Sequence, residues 1–268
     1  LVVIDHGKRS ILGIGVDALD YEAAVARIIS AANEGRPYGV SALAVHGVMT
    51  GVDDPQHAAR LNRLDLVTPD GQPVRWALNL LHGAGLKDRV YGPRLTLEVC
   101  RAAAAEGIPV FFYGSDESTL NMLRERLPTI VPGIVIAGTR PSRFGKATPE
   151  ELDEIARAIR GTGARITFVG LGCPRQEVFA YENRDRLSMP TIAVGAAFAY
   201  HAGIDEEPPA WMQKYGLQWL HRFVHDPKRL WHRYLVLNPR YVFGIARQKF
   251  GRNRDLRVGE EPEHIGWA

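Results

Sequence analysis

The chain has 268 residues, 46% of them hydrophobic, and a formal net charge of +3. That length and apolar content suit a soluble core, as one large domain or two small ones, and the near-balanced charge by itself selects no partner. Its two cysteines, Cys100 and Cys173, lie far apart, which excludes a CxxC metal motif and a disulfide framework and fits a reducing cytosol. No apolar run reaches the ~18 residues of a bilayer span, and "LVVIDHGKRS" lacks the zones of a signal peptide. No initiator Met is present, which leaves an N-terminal truncation open.

In chain order, "ILGIGVDAL" (11–19) reads as a strand and 20–35 as a helix, with Asp20 as N-cap and Gly35 as its stop. "YGVSALAVHGV" (38–48) reads as a strand, 55–65 as a helix, and "LVTPDG" (66–71) as a short strand into a turn. A helix over 94–107 leads to "IPVFFYGS" (108–115), whose unbroken apolar character predicts a fully buried strand. Residues 118–133 are helical until Pro128 interferes, and 134–139 form a strand. The helix 148–163 carries a capping box, Thr148 with Glu151. The strand 164–172, a helix from about Pro174 and a last strand "PTIAVGAAF" (190–198) complete the alternation.

Strand–helix alternation of this length predicts an α/β fold with a mostly parallel sheet and helices on both faces. Right-handed crossovers then place the carboxyl ends of the strands on one rim. Small residues mark four of those ends: Gly114–Ser115, Gly138–Thr139, Gly170–Gly172 and Gly195–Ala196. Turns favour glycine anyway, but four such ends suggest a nucleotide-sized site. The stretch "TFVGLGCPRQEVF" (167–179) sets Gln176 and Glu177 at a helix start on this rim.

Other chemistries find little support. "GIGVDA" (13–18) lacks the third glycine of a dinucleotide fingerprint, and there is neither a P-loop nor a DxD metal signature. His221 and His225 share a helix face but lack the glutamate and third ligand of a metal site, so no metal ligand set is assigned. After residue 200 the composition changes. Residues 209–254 hold ten Lys or Arg from Lys214 to Arg254 against one acid, Asp226, interleaved with Trp211, Trp219, Trp231 and other aromatics. Such a segment suits an anionic membrane surface, an amphipathic helix packed on its own core, or, least, a nucleic-acid backbone.

Three segments together resemble the WecG/TagA/CpsF glycosyltransferases, glycosyltransferase family 26. They are "VTPDGQPVRWALNLLHGAGLKDRVYGPRL" (67–95), "VGLGCPRQEVF" (169–179) and the run from "GAAFAYHAGIDEEPPAWM" through "GLQWLHRFVHDPKRLWHRY" (195–234). The resemblance extends over roughly residues 11–250 and implies a Rossmann-like catalytic domain (1–203), a basic C-terminal appendage (204–254) that approaches the membrane, and a flexible tail (255–268). It implies an inverting, metal-independent transfer of a sugar from a UDP-sugar to a polyprenyl-diphosphate-linked saccharide. The UDP-sugar is a substrate, and no cofactor is implied. The setting would be the cytoplasmic face of the plasma membrane, in cell-surface polysaccharide assembly. An oligomer is left open.

An inverting transfer needs one base to deprotonate the acceptor hydroxyl. The resemblance gives that role to Asp70, which on sequence alone would be a plain Asp-Gly turn. Arg89 and Arg94, near Gly92, and Arg222, Arg229 and Arg233 are candidates for the departing diphosphate, since a guanidinium grips phosphate oxygens bidentately. Gln176 is assigned to the sugar nucleotide, and Glu177 to a ribose or sugar hydroxyl or to capping a helix. Gly114, Gly170, Gly172 and Gly195 would line the donor site. His46 would bond a sugar or simply pack in a strand. The chain departs from the family pattern at Ala44 and His46 (in place of TxN), Ala199 (for Asp), Glu207 (for Arg) and Gln218 (for Glu). These changes leave the donor open between N-acetylmannosamine, its uronic acid and glucose. Another nucleotide-using α/β enzyme and a catalytically silent binding module are the alternative readings.

Overall fold

The structure, a computed structural model, describes residues 3–205, 208–209, 211–212, 215–225, 227–251, 255–256 and 259–268. The chain opens with an antiparallel hairpin, β1 (Asp5–Ile11) and β2 (Ile14–Leu19). Its two-residue turn places Leu12 and Gly13 at φ 56° and 91°, the left-handed backbone that suits the twist of a tight hairpin. Sequence pattern missed β1 because "DHGKRSI" is mostly polar and exposed.

Then follow α1 (Tyr21–Glu34), β3 (Tyr38–Leu43), α2 (Val45–Asp53), α3 (Pro55–Arg63), β4 (Leu66–Pro69), α4 (Gln72–His82), α5 (Gly92–Ala105) and β5 (Val110–Gly114). After these come α6 (Glu117–Ile130), β6 (Ile136–Arg140), α7 (Pro149–Gly161), β7 (Ile166–Gly170), α8 (Arg175–Leu187), β8 (Pro190–Ala193) and α9 (Ala197–Ala202). The capping expectations hold: Asp20 accepts from Ala23 N–H, Gly35 ends α1 in the left-handed conformation, and Thr148 and Glu151 form a reciprocal box. The run 11–19 is broken by the turn at Leu12–Gly13, and two further boundaries move by several residues. The run 38–48 is a strand only to Leu43, and 190–198 only to Ala193; buried helices begin at Val45 and Ala197. An apolar strand leading into the apolar first turn of a buried helix has no break in hydrophobicity to mark the change. Pro128 lies inside α6, which runs on to Ile130.

Strands β4-β3-β8-β7-β5-β6 form one sheet, parallel at every pairing. Alternate side chains feed opposite cores. Phe112 and Phe168 pack with α1, α5, α6 and α9 on one face. Phe111, Tyr113 and Val169 pack with α7 and α8 on the other, and Leu43, Val67 and Ala193 with α2, α3 and α4. This period of two within continuous apolar runs is the mark of a sheet covered on both sides.

The decisive feature is where the chain goes after β3 and β8, which are neighbours. From β3 it enters α2 on one face; from β8 it enters α9 on the other. Their carboxyl ends therefore part and open a crevice, the place where ligands bind in open α/β sheets.

The C-terminal helices are α10 (Gln218–His225), α11 (Pro227–Trp231), a π-helical turn (His232–Leu237) and α12 (Asn238–Gly251). Leu237, Tyr241 and Ile245 join the core beside the hairpin. Gln248 accepts from Leu12 N–H at 2.8 Å and donates to Ser10 O at 3.1 Å. Residues 259–268, taken from sequence as part of a flexible tail, lie against the domain. Glu182 receives the backbone N–H groups of Ile265 and Gly266 at 2.8 and 2.9 Å, and Arg175 stacks over Trp267 at 4.8 Å. Among the described residues no helix is long and apolar enough to cross a membrane.

Gly170 closes the contact between β7 and α9: a Cβ there would lie 2.7 Å from the ring of Phe198. Gly170→Ala should lower unfolding stability by about 1–3 kcal/mol, the usual cost of overpacking, measured by urea denaturation; an unchanged midpoint would remove this packing role.

Candidate active site

The crevice is a cleft of about 920 Å³. Four strand ends supply its floor: Leu43 and Ala44 after β3, Asp70 after β4, Gly172 and Cys173 after β7, and Val194 to Ala196 after β8. α2 contributes His46, α9 contributes Ala199 and Tyr200, and the C-terminal helices contribute Leu230 and Arg233.

Asp70 is fixed by its backbone, whose N–H donates to Leu43 O on the neighbouring strand at 3.2 Å. Its Oδ2 accepts from Gly92 N–H, the first residue of α5, at 3.3 Å. A carboxylate at a helix N-terminus meets unsatisfied N–H groups and the positive end of the helix dipole. Gly92 permits this approach: a Cβ would sit 3.3 Å from both Asp70 Oδ2 and Ala42 Cβ.

Gln176 and Glu177, both in the first turn of α8, are 4% and 1% exposed. Gln176 Oε1 accepts from Gly172 N–H at 3.1 Å, and its Nε2 donates to Glu177 Oε1 at 2.9 Å. The hydroxyl of Ser41, on β3, also reaches Glu177 Oε1, at 3.3 Å. Gly195, at φ 49°, leaves room for the amide, since a Cβ would lie 3.1 Å from Gln176 Oε1. Gln176 therefore keeps only one N–H and one lone pair for a ligand. Burial pushes the Glu177 carboxyl above its ordinary value, against the opposing hydrogen bond from Gln176. Its Oε2 is buried without a hydrogen-bond partner.

His46 stands at the cleft, half-buried, and burial together with the Arg233 charge pushes its ring down to about 4. It is thus a neutral hydrogen-bonding group at physiological pH.

The residues chosen from sequence divide by place. Asp70, His46, Gln176, Glu177, Gly172, Gly195 and Arg233 meet at the cleft, with Gly92 directly behind Asp70. Gly114 and Gly170 do not line it: a Cβ at Gly114 would meet the Gly170 backbone at 2.8 Å, so these glycines serve strand and helix packing. Arg89 stacks on Tyr91 at 4.2 Å and lines an adjacent depression with Arg75, Lys87 and Arg94. Arg94 is engaged with Asp88 and Glu98. Glu207, and the side chains of Gln218, Arg222, Arg229, His221 and His225, lie outside the described residues, as do Lys214, Asp226, Arg252 and Arg254. The structure adds Tyr91, Tyr200, Asp205 and Leu230 to the lining. Tyr91 and Tyr200 meet edge to face at 6.4 Å, a pairing across 109 positions that no local pattern announces.

The sequence profile of the glycosyl transferase WecG/TagA/CpsF family matches residues 9–255. The chain belongs to that family. A curated relative, an N-acetylglucosaminyldiphosphoundecaprenol N-acetyl-beta-D-mannosaminyltransferase of Bacillus spizizenii, is 27% identical over 216 residues, covering 80% of this chain and 78% of the relative. The protein is accordingly a glycosyltransferase of polysaccharide-precursor synthesis. For a WecG/TagA/CpsF enzyme, the position of Arg233 is informative: the appended helices complete the cleft that the sheet begins.

The lowered His46 value sets the sign of a pH effect. Between about 4 and its ordinary 6.5 the unfolded ring binds a proton that the folded ring does not. Its contribution to stability is thus present above pH 6.5 and lost as pH falls toward 4. In His46→Gln that loss should disappear, so the variant's melting temperature should rise relative to wild type as pH drops from 7 to 5; a constant difference across this range would contradict the neutral assignment.

Proposed function

We propose that this protein is an inverting, UDP-sugar-dependent hexosyltransferase acting on a polyprenyl-diphosphate-linked saccharide at the inner face of the plasma membrane. Among the donors left open by sequence, N-acetylmannosamine is favoured by the curated relative, which is an N-acetyl-beta-D-mannosaminyltransferase whose name carries an N-acetylglucosaminyldiphosphoundecaprenol substrate. The observation that carries the reading is the Asp70 carboxylate, held at the start of α5 in a switch-point cleft large enough for a sugar nucleotide.

In the proposed reaction Asp70 takes the proton of the acceptor hydroxyl as its oxygen attacks the anomeric carbon from the side opposite UDP. The bond to the diphosphate breaks, and negative charge grows on the departing UDP. Arg233 is the described cation at the cleft wall suited to meet it. Neutral His46 and the remaining N–H of Gln176 offer hydrogen bonds to sugar hydroxyls. The sequence offers no DxD pair to bind a metal–diphosphate, so cationic side chains carry that role in this reading.

Membrane contact rests on the appendage. Trp211, Trp231, Leu235, Val242, Phe243 and Phe250 are exposed, among Lys228, Arg247 and Lys249. The packed side of α12 covers the domain, so its outer side is available to lipid. Aromatic rings suit the interfacial zone, and each cation near an anionic surface contributes about 1 kcal/mol.

Two outcomes follow. Asp70→Asn keeps shape but cannot accept the proton; transfer should fall about 10²–10⁴-fold with UDP binding, by calorimetry, retained, and full turnover in a folded variant would overturn the base assignment. The full chain should co-sediment with anionic vesicles at low salt and less at high salt, and Phe243→Asp with Phe250→Asp should release it; equal pelleting of wild type and double variant would refute lipid contact through α12.

A further inference from the structure

At the edge of the cleft three side chains from two segments converge. His57 belongs to α3, Cys173 precedes α8, and Glu177 lies in its first turn. A ring nitrogen of His57, the sulfur of Cys173 and a carboxylate oxygen of Glu177 all lie within 4.8 Å of one another. The Cys173 thiol hydrogen-bonds the Glu177 carboxyl, and one atom each of His57 and Glu177 is left without a conventional partner in the interior. His57 and Glu177 are each 1% exposed, and neither His57 Nε2 nor Glu177 Oε2 has a hydrogen-bond partner. A buried polar atom without a partner costs about 1–3 kcal/mol, and the cluster contains two of them.

We propose that His57, Cys173 and Glu177 form a transition-metal site, with zinc the best-matched ion, buried beside the sugar-nucleotide cleft. Thiolate, imidazole and carboxylate together select zinc over magnesium or calcium, which take oxygen ligands. Tetrahedral zinc with bonds of about 2.0–2.3 Å needs donors roughly 3.3–3.7 Å apart, so closure requires movement on the order of 1 Å. Glu177 is prepared for one-oxygen ligation: Oε1 is held by Gln176 and Ser41, and Oε2 is open. A fourth position falls to water, since the described residues bring no further His, Cys, Asp or Glu to the cluster.

Charge agrees with the geometry. A dication held by a thiolate and a carboxylate forms a neutral unit (two positive charges, two negative), the arrangement an interior tolerates best. Arg60, which also faces His57, has Glu182 as its partner at 3.7 Å. The ion would lock Glu177 and, through it, the amide of Gln176. Cys173 and Glu177 also line the cleft and the Arg233 charge reaches Cys173, so this site borders the one proposed for the diphosphate; it does not depend on which donor sugar is used.

The test uses the full chain, stripped with a strong chelator and titrated with zinc and with cobalt(II). About one ion per chain should bind, with a sulfur-to-cobalt charge-transfer band, and release protons on binding. Cys173→Ser should abolish the band and His57→Gln should weaken zinc by ~10-fold or more, while Cys100→Ser, altering a thiol elsewhere in the core, should change neither; circular dichroism confirms each fold. In unmutated protein, zinc should protect Cys173 from alkylation, read by peptide mass. Stripped wild type that takes up no ion, a band that survives Cys173→Ser, or alkylation indifferent to zinc would overturn the proposal and leave a buried water as the link between His57 and Glu177.

Discussion

The amide of Gln176 has both ends committed before any ligand arrives. Its oxygen holds the loop after β7 through Gly172, its nitrogen holds Glu177, and Glu177 in turn receives Ser41 of β3. The loop after β8 packs on the same amide at Gly195. Gln176 and Glu177 together thus link three of the four strands whose ends floor the cleft, where the sheet's connections part. A polar pair with under 5% exposure would be costly without these bonds; with them it converts the burial penalty into a fixed geometry for the rim.

Much of this could be read from the residues, and the parts that could not have physical causes. The parallel sheet follows from apolar runs alternating with amphipathic ones, and the helix ends from Asp20, Gly35 and Thr148, whose capping chemistry is local. Asp70 and Gln176 were legible through a resemblance carried by short motifs, not through periodicity. What stayed hidden depends on distance along the chain. β1 exists because β2 pairs with it, despite its polar composition. Gly114 and Gly170 look like ligand-binding glycines in sequence, yet each is small because a neighbouring backbone or ring requires it. His57 gave no signal at all, because only the packing of α3 against α8 brings it to Cys173 and Glu177.

The basic C-terminal segment left three readings open; the packed helix is seen on the inner side of α12, and the lipid contact proposed above concerns its outer side. Tyr241, Ile245 and Gln248 bind α12 to the hairpin and α2–α4 layer, as an ordinary packed helix does. Val242 and Phe243 point outward from that same helix. Net charge would not have separated these roles, since cations occur on the outer side and at the cleft alike. On the proposed reaction the division has a consequence: the base comes from the rigid sheet, while the cation at the leaving group comes from the element proposed to contact lipid.

The segment 259–268 adds a constraint on the opposite flank of the same helix start. It lies beyond the family match, which ends at residue 255, yet it is held at several points. Gly266 O accepts from Ala147 N–H at 2.7 Å, Ala268 O accepts from Ser142 Oγ at 2.6 Å, and Glu182 of α8 takes two backbone N–H groups. Trp267 lies under Arg175, the residue that immediately precedes Gln176. A helix start is the part of a helix most able to fray, because its first N–H groups lack intrahelical partners. Here the first turn of α8 is clamped on one side by the Gly172 loop and on the other by Trp267. The amide that organises the cleft is therefore anchored from two directions, only one of which belongs to the motif that announced it.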